Sequence, residues 1–137
     1  MSRLITRHTD IECDEEDQWD VRYIVEDVEE AIGFYRDRLG FRVDLHPAPG
    51  FASLSRGDLR LLLNAPGAGG AGTAGDKAPE SGGWNRFQIE VDDLEKTTDE
   101  LRTAGATFRG DITQGNGGKQ ILLADPSGNL VELFESA

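Results

Sequence analysis

Apolar side chains recur at every second position in two short segments of the chain. In the first they stand at Val21, Tyr23 and Val25, and residues 87–91 repeat the same alternation. Side chains two positions apart lie on one face of a strand. Each segment therefore predicts a β-strand with one face on a hydrophobic core.

A helix is predicted after each of these strands. Asp27 and Asp93 follow the strands, and an aspartate side chain can accept hydrogen bonds from the free amides of a first helical turn. Apolar residues at helical spacing run from there to Gly40 in the first copy and, more weakly, to Gly105 in the second. Both glycines occupy the place of a left-handed C-terminal cap.

Three more strands are predicted after each helix, so that one order of elements occurs twice. The tight turns between the last two strands of each copy are predicted at residues 56–58 and 125–129. A repeated order of this kind indicates a duplicated unit. The predicted strands are residues 41–46, 51–55 and 59–63, then 107–113, 119–124 and 130–134.

The chain of 137 residues is long enough for one domain, or for two half-domains that share a core. We predict a single domain over residues 19–136. A polar N-terminal arm precedes this domain, and the domain itself consists of two units joined by a connector. Seven glycines and five alanines between residues 64 and 83 indicate a flexible linker or a lid. The segments are the arm 1–18, the first unit 19–64, the connector 65–83 and the second unit 84–136.

Charge and composition exclude some classes of function. The net charge of −12 is spread along the chain without a basic stripe, which argues against nucleic acid as a partner. The acidic surface favours either solubility alone or a cationic small molecule. No membrane span or signal peptide is expected, and the single cysteine, Cys13, agrees with a cytoplasmic protein.

Two motifs resemble the vicinal oxygen chelate superfamily, which includes glyoxalase I, bleomycin-resistance proteins and extradiol dioxygenases. They are the segment from Val25 to Phe41 and the ending Asp125-Pro-Ser-Gly-Asn-Leu-Val-Glu-Leu133. The resemblance implies an α+β fold with two βαβββ units, whose curved mixed sheets surround a shared cavity with the helices outside. It also implies a homodimer, with the units paired within one chain or exchanged between chains.

In that superfamily a divalent metal is often held by the first and last strands of the units. The matching positions here are Asp20, Leu61, Arg86 and Glu132. Arginine offers only donors and leucine has no lone pair, so two carboxylates remain where a catalytic metal needs about three ligands. We therefore expect no metal and no other cofactor. Arg86 and Glu132 are predicted to form an ion pair, which either joins two strands or contacts a ligand.

Strand parity predicts which side chains line the cavity. Leu59, Leu61 and Leu63 are expected to form an apolar wall. Trp84 either stacks on a flat ligand or covers the edge of the core. His46 is predicted either to reach the cavity as an acid or base near neutral pH, or to lie in solvent at the end of its strand. The predicted ligand-binding residues are Asp20, Arg22, His46, Leu61, Trp84, Arg86, Gln88, Glu90, Glu132 and Phe134.

Three functions fit this pattern. The first is metal-free binding of an organic small molecule. The second is a metal-free isomerase, lyase or cyclase, with Glu132 or Asp20 as the base and Arg86 as the stabiliser of an oxyanion. The third is a divalent-metal enzyme of glyoxalase or dioxygenase type, with Asp20, Glu132 and His46 as altered ligands. We favour the first, and among enzymes a lyase or isomerase over a dioxygenase.

Overall fold

The computed structural model describes residues 19–68 and 77–137. The predicted arm 1–18 and the middle of the predicted connector lie outside these residues. Two helices and eight strands follow one another in two similar series. The elements are β1 (Trp19–Ile24), α1 (Val28–Asp37), β2 (Arg42–Ala48), β3 (Phe51–Arg56), β4 (Leu59–Asn64), β5 (Arg86–Glu90), α2 (Leu94–Thr103), β6 (Thr107–Gln114), β7 (Gly118–Ala124) and β8 (Leu130–Ser136).

Each unit forms one four-stranded mixed sheet. The strand orders are β1-β4-β3-β2 and β5-β8-β7-β6. In each sheet the first strand runs parallel to its neighbour, and the other pairs are antiparallel. Two parallel strands must be joined by a connection that crosses from one end of the sheet to the other. In each unit this connection begins with the helix that follows β1 or β5. The predicted α+β fold with two βαβββ units is confirmed.

The predicted helix caps are present at both ends. The Asp27 carboxylate accepts a hydrogen bond from the amide of Glu30 at 3.1 Å, and Asp93 accepts one from Lys96 at 3.1 Å. After the helices, Gly40 has φ 76° and Gly105 has φ 92°. These are left-handed conformations that glycine adopts without a steric penalty, so both helices end where the sequence indicates.

We expect Asp27→Ala to lower the free energy of unfolding by about 1 kcal/mol, the usual contribution of an N-cap. Asp93→Ala should cost less, because its carboxylate lies within 4.8 Å of that of Glu135 and the two repel each other. Urea denaturation of both variants at low ionic strength measures the difference. In high salt the repulsion is screened, and the two losses should converge. Equal losses at low salt would contradict this prediction.

Both helices pack on one face of the sheets and form a single core with them. The core includes Tyr35 of α1, Leu94 of α2, and the side chains of β1 and β4 that face α1. Phe87 of β5 lies among aromatic rings of the first unit, with its ring centroid 5.4 Å from that of Tyr23 and 6.1 Å from that of Phe41. The two units therefore share a core within one chain.

A buried turn joins the units by hydrogen bonds. The Tyr35 hydroxyl of α1 donates to Asp125 Oδ2 at 2.8 Å, and Asn129 Nδ2 donates to the carbonyl oxygen of Ile24 at 2.9 Å. Asp125 Oδ1 accepts from the amides of Ser127 and Asn129 at 2.9 and 2.8 Å. Burial raises the pKa of Asp125, although these hydrogen bonds act in the opposite direction. The turn from Asp125 to Asn129 thus fastens the second unit to α1 and β1.

The hydroxyls at this junction are held in their neutral form. Burial raises the pKa of Tyr23 to about 12, and its hydroxyl donates to the carbonyl oxygen of Leu130 at 2.6 Å. Burial and the neighbouring Asp125 raise the pKa of Tyr35 well above its ordinary value. Both tyrosines therefore act as hydrogen-bond donors between the units at physiological pH.

Each described helix has only ten residues, and neither is long and apolar enough to cross a membrane.

Candidate functional site

The face of each sheet opposite its helix carries most of the predicted ligand-binding residues, and we call it the open face. On β5, Phe87 and Ile89 point to the core, so the residues between them point away from it. Pairing of β5 with β8 places Gln88 beside Glu132, and Glu90 beside Phe134. The structure therefore brings five predicted residues together on the second sheet. They are Arg86, Gln88, Glu90, Glu132 and Phe134.

Arg86, Gln88 and Glu132 form one hydrogen-bonded group. Arg86 Nε lies 3.0 Å from Glu132 Oε1, and Gln88 Nε2 donates to Glu132 Oε2 at 2.7 Å. The Glu132 side chain is 10% exposed and that of Arg86 is 32% exposed. The predicted Arg86–Glu132 ion pair is confirmed. It holds the carboxylate at the sheet surface while the terminal nitrogens of the guanidinium keep further donors.

In the first unit an ion pair of reversed order also joins the first and last strands, one pair of positions away from the counterpart of Glu132. Asp20 of β1 pairs with Arg60 of β4, whose Nε and Nη2 lie 2.8 and 3.2 Å from the two carboxylate oxygens. Two positions after Asp20 on β1, Arg22 Nη1 donates a hydrogen bond to Oδ1 of Asn64, the last residue of β4, at 2.8 Å. The acid thus stands on the first strand of one unit and on the last strand of the other.

The expected leucine wall was placed on the wrong face. Leu61 and Leu63 are completely buried among the side chains that face α1, and Leu59 packs against the same core. The cause is a one-residue error in matching the last strands, because only two residues separate β3 from β4 whereas five separate β7 from β8. Strand pairing shows that Leu62, not Leu61, corresponds to Glu132, and a one-residue shift reverses the face.

His46 does not join the other predicted residues. Its Nε2 lies 3.5 Å from the carboxylate of Glu29 in the first turn of α1. Strand β2 forms the far edge of the first sheet, three strands from β1. The ligand set of Asp20, Glu132 and His46 is therefore not assembled in this structure.

Trp84 precedes β5 and is 67% exposed. The guanidinium carbon of Arg109 lies 5.2 Å from the centroid of its ring, which is a cation–π distance. Arg109 pairs with Leu122 across β6 and β7, and Leu122 pairs with Glu132. Paired residues share a face, so Arg109 and the Trp84 ring lie on the open face of the second sheet.

The four metal positions of the superfamily do not fit a divalent cation here. Both oxygens of Glu132 accept hydrogen bonds from Arg86 and Gln88, and Asp20 is paired with Arg60. Leu62, which corresponds to Glu132 in place of the predicted Leu61, has no lone pair to offer. Among residues 19–68 and 77–137, the one group of three acidic or imidazole ligands within 4.8 Å is Asp93, Glu95 and Glu135. It lies at the start of α2, where Lys119 already neutralises Glu95.

The two proposed bases are likewise held in ion pairs. Glu132 and Asp20 each direct both carboxylate oxygens to donors on neighbouring strands. A general base must present an oxygen to the proton that it removes. The geometry of both side chains is that of a cross-strand ion pair.

Two arginines of the open face were not predicted. Arg60 was missed because of the one-residue error in β4. Arg109 was missed because its nearness to Trp84 depends on the pairing of β6 with β7, which is interrupted by a register shift between Arg109 and Thr113. The glycine at position 110, with φ 89°, marks this irregularity and was the available signal in the sequence.

Several solved structures share this fold. One is a member of the glyoxalase/bleomycin resistance protein/dioxygenase superfamily from Sphaerobacter thermophilus DSM 20745, with TM-score 0.72 and 24% identity over 88% of this chain and 97% of that one. A lactoylglutathione lyase from Agrobacterium tumefaciens has TM-score 0.69 and 22% identity, covering 88% and 93%. TnmS3, an antibiotic binding protein from Streptomyces sp. CB03234, has TM-score 0.68 and 21% identity, covering 92% and 100%.

These identities support the fold alone, and no curated protein is similar in sequence. The family is shown by the sequence itself. Residues 20–133 match the profile of the Glyoxalase/Bleomycin resistance protein/Dioxygenase superfamily. The matched segment covers both units and the connector. The chain belongs to this superfamily.

Proposed function

We propose that this protein binds an organic small molecule on the open face of the second sheet without a metal ion. The Arg86–Glu132 pair is the observation that carries the proposal, because a fixed positive charge stands where the superfamily often holds a cation. A permanently protonated guanidinium repels a metal ion and offers directional donors to an organic group.

The surroundings of this pair suit an organic guest. Small-molecule sites combine apolar and aromatic surface with a few polar groups that fix orientation. Here the apolar and aromatic surface comes from Trp84, Phe134 and Leu122. The polar groups are the side chains of Arg86 and Gln88. The fold of TnmS3, an antibiotic binding protein, is similar. Binding of an antibiotic is thus one function that occurs with this fold.

The homodimer and the cytoplasmic location expected from the sequence form part of the proposal. Arg86, Gln88 and Glu90 are exposed in a single chain, whereas a small-molecule site buries most of its ligand. A second copy of the chain facing the open face would supply the missing walls. The guest would then be enclosed between two protomers.

We expect binding to be independent of metal and dependent on Arg86. Thermal shifts across a compound panel should be the same after treatment with EDTA as after addition of Zn²⁺ or Mn²⁺. Arg86→Gln should weaken the binding of any hit by about 10-fold to 100-fold, the usual contribution of hydrogen bonds to a charged group. Isothermal titration calorimetry measures both effects.

Arg36→Gln is the matched control, because Arg36 is an exposed arginine paired with Asp37 on α1, away from the open face. It should bind like the wild type. A stoichiometric metal whose removal abolishes binding would overturn the proposal. The protein would instead be a metal-free enzyme if it converted a bound compound and Glu132→Gln abolished the turnover but not the binding.

A further inference from the structure

We infer that the guest is a planar aromatic compound that carries an anionic group such as a carboxylate. This inference rests on the proposed function and names the chemical class of its ligand. It depends on three features of the second sheet: an exposed indole, a guanidinium against that indole, and a half-buried leucine between two arginines.

The indole of Trp84 is the aromatic contact. Its 67% exposure is the largest among the exposed large hydrophobic side chains of the described residues. The ring is nevertheless ordered by Arg109, whose guanidinium carbon lies 5.2 Å from its centroid. An indole held in one orientation, with much of its surface uncovered, offers a stacking platform for a flat ring. Ordering before binding lowers the entropic cost of that contact.

Within residues 19–68 and 77–137, Arg109 supplies a positive charge at this platform that no carboxylate pairs with. It forms no ion pair with another described residue, in contrast to Arg36, Arg42, Arg60 and Arg86. The register shift that follows it, between Arg109 and Thr113, is typical of a bulge that changes the direction of a side chain. Its guanidinium therefore stands at the indole with donors available to an anion.

Arg86 supplies the second set of donors on the other side of the sheet. Only its Nε contacts Glu132, and Nη1 lies 3.5 Å from the carbonyl oxygen of Trp84. Between the two arginines, Leu122 of β7 is half-buried on the same face as Arg109 and Glu132, whereas Leu130 beside Arg86 is completely buried. An aromatic ring can lie on Leu122 beside Trp84 with its acidic group at a guanidinium.

The charge nearest the Trp84 ring, that of Arg109, thus has the opposite sign to the charge of the whole chain. The net charge of −12 led to the expectation of a cationic guest. Direct contacts decide the sign at a binding site, because distant charges are screened beyond about 8 Å at physiological ionic strength. Glu132 is neutralised by Arg86. The exposed carboxylate of Glu90 lies four residues along β5 from Arg86, roughly 13 Å away at the usual rise of a strand, which leaves Arg109 to set the preference beside Trp84.

Three ligands that share the naphthalene ring test the inference: 2-naphthoate, its isostere 2-naphthamide, and the cationic 2-naphthylmethylammonium. Each is titrated into the full chain by calorimetry and by tryptophan fluorescence. The carboxylate should bind at least about 10-fold more tightly than the amide, and the ammonium most weakly. Arg109→Gln should remove most of the preference for the carboxylate over the amide. Trp84→Ala should weaken all three ligands by about 5-fold to 100-fold.

Trp19→Ala is the matched control, since Trp19 is also exposed, at 61%, but lies at the start of β1 in the first unit. It should leave all three affinities unchanged. The preference should also weaken in 0.5 M salt, about three times the physiological ionic strength.

The outcomes separate this inference from the proposed function. If the amide or the ammonium binds as tightly as the carboxylate, and the binding still depends on Arg86 and Trp84, the anionic class is wrong and the proposed function stands. If Arg109→Gln leaves the preference intact, the assignment of Arg109 is wrong. If none of the three ligands binds, and a wider compound panel also gives no metal-independent binding, both fail together.

Discussion

Replacement of Gly118 by alanine is expected to destabilise the protein by about 3 kcal/mol or more. Gly118 begins β7 with φ 150°, and a Cβ atom there would overlap the carbonyl oxygen of Glu135 on the neighbouring strand β8. It would also lie 2.9 Å from the ring of Phe134. Because Gly118 pairs directly with Ser136, the overlap is with backbone and cannot be relieved by a side-chain rotation. Urea denaturation measures the loss.

The adjacent glycine is the control. An added Cβ at Gly117 meets no atom within 4 Å, and its φ is not in the left-handed region. Gly117→Ala should change the free energy of unfolding by no more than about 0.5 kcal/mol. Equal stability of the two variants would show that β7 and β8 are not paired at this end. Since Phe134 lies on the open face, Gly118→Ala should also perturb the candidate site.

Asp125→Ala is expected to cost about 3–5 kcal/mol, the range for removing one partner of a buried charged network. The carboxylate accepts hydrogen bonds from the Tyr35 hydroxyl, from the amides of Ser127 and Asn129, and from the Asn129 side chain. Tyr35 is completely buried, so its hydroxyl would be left without a partner. Chemical denaturation followed by circular dichroism measures the loss.

Two further variants define this effect. Asp58→Ala removes the acid of the corresponding turn in the first unit, where the side chain is exposed, and should change stability by about 0.5 kcal/mol or less. Tyr35→Phe removes a single hydrogen bond to Asp125 and should cost about 1–3 kcal/mol. If Asp125→Ala cost no more than Asp58→Ala, the turn would not be the fastening between the units.

Local signals explain why most of the fold is predictable from the sequence. Asp27 and Asp93 cap their helices, and Gly40 and Gly105 end them, through contacts within a few residues of each position. The alternation in β5 assigns Arg86 to the open face for the same local reason. These patterns need no knowledge of which strands are neighbours.

Contacts between distant strands explain what the sequence did not reveal. Leu61 was assigned to the wrong face because the turns of the two units differ in length. The network around Asp125 joins a turn to a helix ninety positions away, as the sequence separation from Tyr35 shows. Arg109 meets Trp84 across the whole second sheet. In each case the partner is fixed by tertiary packing, which a motif does not encode.

The two cross-strand ion pairs make the halves of this duplicated molecule electrically unlike. Edge strand β1 carries the negatively charged Asp20, whereas edge strand β5 carries the positively charged Arg86 at the matching position. A compound lying across both halves would therefore meet the carboxylate of an ion pair on one edge strand and the guanidinium of an ion pair on the other. Turning it end for end would exchange attraction for repulsion, so an architecture with twofold repetition would accept an asymmetric molecule in one direction only.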